Sequence, residues 1–155
     1  MAFFNAMNIS ATGLTAQRLR MDVISENIAN VNTTRTIYGT PYRRKTVLFQ
    51  EIRETPFAQL MRDTVEEDGS RPRIRAPLGM GVRVAGVVQD FAHGPMIYDP
   101  AHPDANAEGY VQMPNVNIVE EMVNMISAAR SYEANITAIN TSRAMMMRTL
   151  EIGRG

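Results

Sequence analysis

The sequence predicts an α+β fold: long N- and C-terminal helices paired as an antiparallel coiled coil, a small central β-sheet or hairpin, and extended linkers. Three observations carry this. Residues 118–150 place apolar side chains at alternating steps of four and three. Residues 2–31 repeat Met7, Leu14, Met21 and Ile28 at seven-residue intervals. Between them, residues 42–52 and 80–91 alternate with the two-residue period of strands.

The N-terminal helix occupies residues 1–34, with its pattern running from Ala2 to Val31. Phe4 and Ala11 flank the Met7–Ile28 line early, while Ile24 and Val31 flank it late on the other side, so the stripe winds and implies supercoiling or a change of partner. Asn8, Thr12, Gln17, Asn27 and Asn30 dilute the charge. Asn30 and Asn32 supply a stop, because Asn tolerates the left-handed conformation of a helix C-cap.

Residues 35–97 form the central β region, which opens on the turn-rich Tyr38-Gly39-Thr40-Pro41. Arg43, Arg44 and Lys45 read best as charge protecting an edge strand, and less well as a site for an acidic partner. Residues 56–77 are expected to be a mobile loop with one helical turn around Phe57 to Met61. In the second strand Gly86 marks a bulge. Residues 98–116 follow as an extended, irregular linker, stiffened with Pro95 by Pro100 and Pro103. His93, Asp99, His102 and Asp104 have no zinc or calcium spacing and are read as turn formers.

The C-terminal helix occupies residues 117–155. Its seam reads Ile118, Met122, Met125, Ala129, Tyr132, Ile136, Ile139, Arg143, Met146, Leu150, and only Arg143 breaks the apolar series, so that residue must pair or stay wet. Asn117 and Glu120 suit a capping box, and Gly153 a stop. Val119, Val123, Ile126, Met145 and Met147 lie off the seam, and no charge interrupts Ala134 to Ser142. A solvated helix face is usually rich in Lys and Glu. This helix is therefore read as touching neighbours on several sides, although periodicity alone also fits an ordinary single-chain bundle. A free chain of this pattern keeps its central strands and leaves its ends mobile until partners bury them.

The chain has 155 residues, a prior of one domain, and 16 acidic residues against 16 basic ones, so its charge points to no nucleic acid or anionic membrane. The absence of cysteine excludes disulfides, thiol nucleophiles and thiolate metal sites. Twelve Met and no Trp make a repackable apolar inventory, ordinary in a core and common at adaptable interfaces. No run approaches a membrane span, and no basic residue precedes Arg18, so no cleavable secretory signal is read and the cytosol is the default compartment. There is no nucleophile elbow, P-loop or dinucleotide fingerprint. Glu120 and Glu121 are read as complements to the helix dipole rather than as an acid/base pair. No catalytic, cofactor-binding or metal residues are assigned.

Ser10–Gln17 (SATGLTAQ) and Ser25–Asn30 (SENIAN) resemble the N-terminal signature of flagellar rod and hook axial proteins. Pro41–Lys45 (PYRRK), Tyr98–Ala105 (YDPAHPDA), Gly109–Val111, Pro114–Asn117 (PNVN), Glu121-Met122, Ala129-Arg130, Tyr132–Asn135 (YEAN) and Leu150–Arg154 (LEIGR) resemble the proximal-rod branch of that family. Ile37–Thr40 departs from it, since the family is richer there in Gly and acidic residues. The resemblance covers essentially the whole chain. It implies a structural subunit of the bacterial flagellar rod in the periplasm, a hollow tube that transmits torque and conducts exported proteins. It also implies an inner layer called D0 made from the terminal helices, and export by the flagellar type III apparatus without a cleaved signal. That overrides the cytosolic default. The implied partners are copies of the chain, other rod proteins including subunits at the junction with the MS ring, and the export apparatus.

The candidate assembly residues are then Met7, Leu14, Met21, Asn27, Ile28 and Asn30 on the first helix. On the second they are Met122, Met125, Ala129, Tyr132, Ile136, Ile139, Arg143, Met146 and Leu150. Two rival readings differ in class: a binding module or enzyme on the central sheet with a helical stalk, and a cytosolic coiled-coil regulator.

Overall fold

The computed structural model describes residues 2–53 and 79–153. The expected loop at 56–77, with its helical turn at Phe57 to Met61, lies outside the described residues. The elements in chain order are α1 (Ala2–Ala29), β1 (Lys45–Glu51), β2 (Val82–Gln89), β3 (Met96–Tyr98), β4 (Tyr110–Gln112) and α2 (Ile118–Ile152). The fold is α+β, with two long terminal helices and small antiparallel sheets between them.

The helices pack antiparallel. Asn27 near the end of α1 meets Glu121 in the first turn of α2, and Gly13, a half-helix earlier, meets Asn135 further along α2, so the two helices run in opposite directions. A Cβ on Gly13 would lie 3.0 Å from the Asn135 side chain. A residue without a side chain is what lets the backbones come this close.

Helix ends follow local hydrogen bonding. The Asn117 side chain accepts from the backbone N–H of Val119, so it caps α2, while Glu120 is exposed and gives no return bond among the described residues. Half of the expected capping box therefore forms. Gly153 closes α2 in a right-handed conformation (φ −76°, ψ −8°), not the left-handed one anticipated for a terminal Gly. Asn30 likewise does not enter the left-handed region, since among the described residues no non-Gly residue has positive φ. It stops α1 by side-chain bonding: its amide donates to the Glu26 carbonyl at 2.9 Å and its Oδ1 accepts from Thr33 Oγ1 at 3.1 Å.

β1 and β2 pair antiparallel from Lys45↔Gln89 to Glu51↔Val82. The register slips between Leu48 and Phe49, which face Gly86 and Val84, so Ala85 is the extra residue of a bulge at the predicted glycine. This sheet packs on α1. Val47 is buried beneath the helix residues Val23 and Ile24, and Thr12 Oγ1 accepts from the Val82 N–H at 3.2 Å. Gly81 makes that approach possible: its φ is +115° and a Cβ there would lie 2.2 Å from Thr12 Oγ1.

The segment 98–116, read as irregular, carries a second ladder. β3 and β4 pair from Met96↔Gln112 to Tyr98↔Tyr110, with Val111 buried beneath. Three-residue strands of this kind show little period-two signal, and the prolines masked it. The intervening loop is built by the expected turn formers: Asp99 Oδ1 accepts from the Ala101 N–H, and His102 Nδ1 accepts from the Asp104 N–H. Asp104 in turn takes Thr34 Oγ1 at 2.8 Å and Arg35 at 3.4 Å, tying the loop to the exit of α1.

Candidate assembly surface and its polar anchor

The helix pair is closed by small and polar residues. Along α2 the inner face runs Glu121, Met125, Ala128, Tyr132, Asn135, Ile139, Ser142, Met146, with Asn124, Ala129 and Ser131 half-buried at its border. That face lies one position from much of the sequence-derived seam. Met125, Ala129, Tyr132, Ile139 and Met146 are half-buried, whereas Ile118, Met122, Ile136, Arg143 and Leu150 are exposed. On α1, Met7, Leu14, Met21, Ile28 and Asn30 are half-buried, Asn27 is fully buried, and the most enclosed apolar positions are Ala16, Val23 and Ile24. Ala128 and an α1 that carries Gly13 allow close approach, which leaves room in the seam for only some of the large side chains.

The other large apolar residues are consequently left outside. Met122 is 55% exposed and Val119, Val123, Ile126 and Leu150 more than half exposed. Arg143 is wet, as its charge requires. Exposed large apolar residues clustered in this way mark a place where something else binds.

The pair is pinned at one end by a buried polar network. Asn27 and Glu121 are each 1% exposed. The Asn27 amide donates to the Lys45 carbonyl at 2.8 Å and to Glu121 Oε2 at 2.9 Å. Its Oδ1 accepts from the Tyr42 hydroxyl at 2.9 Å and from the Lys45 N–H at 2.9 Å. Two donors and two acceptors are thus all used, the full capacity of an amide side chain. Arg44 donates to Glu121 Oε1 from Nε at 2.8 Å and from Nη2 at 2.6 Å, while its backbone N–H donates to Asn115 Oδ1 at 2.9 Å. One network therefore holds the end of α1, the start of β1 and the first turn of α2.

Three features of the network correct the reading of the sequence. Arg43-Arg44-Lys45 is not a solvated edge cluster: Arg44 pairs with Glu121, Lys45 with Glu26, and Arg43 lies 4.6 Å over the Phe91 ring. Glu121 is the buried ion-pair partner of Arg44 and not a wet carboxylate serving the dipole alone. Tyr42, Arg44, Asn115 and Glu121 were absent from the candidate residues, although all stand in the motifs PYRRK, PNVN and Glu121-Met122; the signal was two distant motifs with complementary donors and acceptors. Burial, with Glu26 and Glu121 nearby, pushes the Tyr42 hydroxyl from 10.0 up to about 12.

Among the described residues no three His, Cys, Asp or Glu are grouped to hold a metal ion, and no helix is long and apolar enough to cross a membrane.

Comparison with known proteins bears on this arrangement at both ends. The family model described as flagella basal body rod protein matches residues 7–35, and that described as flagellar basal body rod FlgEFG protein C-terminal matches residues 107–152. The flagellar basal-body rod protein FlgC of Bacillus subtilis (strain 168) is 46% identical, covering 99% of this chain and 100% of that protein. The FlgC of Borreliella burgdorferi is 47% identical over 100% of both. That of Escherichia coli O6:H1 is 39% identical over 99% of this chain and 100% of the relative.

Proposed function

Because this chain belongs to the FlgC family of flagellar basal-body rod proteins, we propose that it is a structural subunit of the proximal rod, assembling through its terminal helices into the hollow shaft that transmits torque and conducts exported proteins. It acts by packing and not by catalysis. Its partners are further copies of itself, neighbouring rod subunits, those at the MS-ring junction, and the type III export apparatus, which carries it to the periplasmic rod without a cleaved signal. The helix pair is the inner, D0-like layer, with residues 35–97 as the outer β region and residues 98–116 as the connection. Of the seam residues, the exposed Met122, Ile136, Arg143 and Leu150 form the centre of the assembly surface, with half-buried Met7, Leu14, Met21, Ile28, Asn30, Met125, Ala129, Tyr132, Ile139 and Met146 at its border, while buried Asn27 holds the pair in shape.

The observation that carries this reading is the set of large apolar residues left exposed on the helix pair, Val119, Met122, Val123, Ile126 and Leu150 among them. A monomer with no use for neighbours would bury them, because burying a Met or Ile side chain is worth about 1.5–3 kcal/mol.

Ile136 supplies the test. It is 38% exposed, so Ile136→Asp costs the isolated fold only about 1–2 kcal/mol in chemical unfolding and leaves it folded. In a flagellated cell lacking its own copy, the same variant is made and exported, is not retained in isolated basal bodies, and gives no swimming. Normal swimming, with the variant retained in basal bodies, refutes the assembly role of this face.

A further inference from the structure

From Val84 through Ala129 the chain contains six acidic residues and no Lys or Arg. Two of the six have cations: Asp104 holds Arg35 and Glu121 holds Arg44. Asp90, Asp99, Glu108 and Glu120 have no cation within 4.0 Å among the described residues, and all four are exposed. Asp99 directly follows β3 and Glu108 lies two residues before β4, so both flank an apolar platform on the β3–β4 hairpin, where Met96, Ile97, Tyr98 and Tyr110 are all exposed and the two tyrosine rings meet edge-on at 5.2 Å. This platform lies at the end of the helix pair that the Asn27–Glu121 network closes, since β4 runs within a few residues of α2.

The far end of α2 has the opposite character. Arg143 and Arg148 are exposed and without a carboxylate within 4.0 Å among the described residues, against a single acidic residue, Glu151. Around them Met145, Met147, Leu150 and Ile152 are exposed. A helix of this length separates the two ends by about 50 Å. One chain cannot bring them together.

We infer that the acidic, aromatic face of the β3–β4 hairpin receives the basic, methionine-rich end of α2 from a second copy of this chain. The inference rests on the assembly reading above and adds the pair of surfaces. The two patches differ, so the contact is heterologous, and such contacts extend into open helical arrays rather than closing as a dimer. Apolar centres supply the burial, and the surrounding charges select register and orientation. The acidic stretch rejects a second hairpin, and the basic end rejects a second basic end.

Charge exchange tests it on the purified full chain by sedimentation at low and at 0.5 M salt. Wild type associates at low salt and less at high salt. Arg143→Glu/Arg148→Glu and Asp99→Lys/Glu108→Lys each lose association at least tenfold when alone. An equimolar mixture of the two associates like wild type, because every contact in an alternating chain is again between opposite charges; a variant that merely misfolds gains nothing from mixing. Wild type that stays monomeric at low salt, variants that associate normally, or a mixture that stays monomeric overturns the inference.

The absence of cysteine permits a second readout in isolated basal bodies. With Met96→Cys and Met147→Cys on one chain, a short thiol cross-linker yields a ladder of multimers, and neither single substitution yields one. A chain present in basal bodies that gives no ladder refutes the contact and leaves the rod assignment standing. A chain absent from basal bodies refutes the assignment itself.

Discussion

Asn27 uses both donors and both acceptors within the protein, and its partners come from two distant parts of the chain: Tyr42 and the Lys45 backbone at the start of β1, and Glu121 in the first turn of α2. Removing such a group strands the others. Asn27→Ala is expected to cost about 3 kcal/mol in chemical unfolding, since buried donors and acceptors lose their partners. Glu121→Ala is expected to cost about 3–5 kcal/mol, because Arg44 is left partly buried without its counter-charge, while Glu121→Gln retains the acceptor and costs less. Tyr42 makes the network sensitive to alkali. Its folded pKa is raised from 10.0 to about 12, so its contribution is complete below pH 10 and is lost as pH climbs towards 12. Unfolding free energy should fall more steeply over that window in wild type than in Tyr42→Phe, and absorbance should show the Tyr42 hydroxyl ionising late. Equal slopes would show that the hydroxyl does not feel its surroundings. Gly94 is set by a different constraint: a Cβ there would lie 2.1 Å from the Met113 carbonyl oxygen, so Gly94→Ala must displace backbone and is expected to cost about 1–3 kcal/mol.

At the scale of elements, the helix pair is anchored unequally. One end is held by the network and by the β1–β2 sheet packed on α1, the other by side chains of modest burial alone. Stability should therefore fall along α2 from Glu121 outwards. Hydrogen exchange on dilute chain is expected to give strong protection at Val47, Val84 and the α2 turn around Ala128, and weak protection from Met145 to Ile152, with the latter rising on assembly. Uniform, concentration-independent protection along α2 would show that the pair needs no partner. The same asymmetry explains why α2 kept a straight apolar pattern in sequence that its own partner does not fill. The pattern records two kinds of neighbour: α1, which takes Ala128, Tyr132 and Ile139, and the surroundings, which meet Met122, Ile136 and Leu150.

On the scale of the whole molecule, chemical character is distributed by position and not by net charge. Acidic and basic residues balance overall, yet exposed carboxylates without a cation partner among the described residues flank the β3–β4 hairpin, and the far end of α2 carries Arg143 and Arg148. A molecule so polarised favours addition in one direction. Raising salt is accordingly expected to slow self-association more than it lowers the stability of the chain, because the Arg44–Glu121 pair is buried and screened little. Parallel measurements of association and of unfolding at 0.05 and 0.5 M salt separate the two effects; equal sensitivity would place the charges that matter inside the fold.

The helices, the β1–β2 pairing and the bulge at Gly86 were legible in the sequence, because each follows from a local period or from one backbone requirement within a few residues. So was the surplus of apolar surface, which is a matter of counting positions against what one partner helix can bury. The short β3–β4 ladder was not legible, since three residues per strand carry too little periodicity to stand out among prolines. Nor was the choice of inner face on α2. Seam spacing treats Met122 and Met125 alike, but the packing of Gly13 against Asn135 and of Asn27 against Glu121 rotates α2 so that Met125 faces α1 and Met122 faces outwards. The Asn27–Arg44–Glu121 network belonged wholly to the tertiary structure. Its members lie up to 94 residues apart, and nothing in the sequence near Glu121 distinguishes a wet carboxylate from a buried one until folding brings Arg44 and Asn27 against it and removes the water.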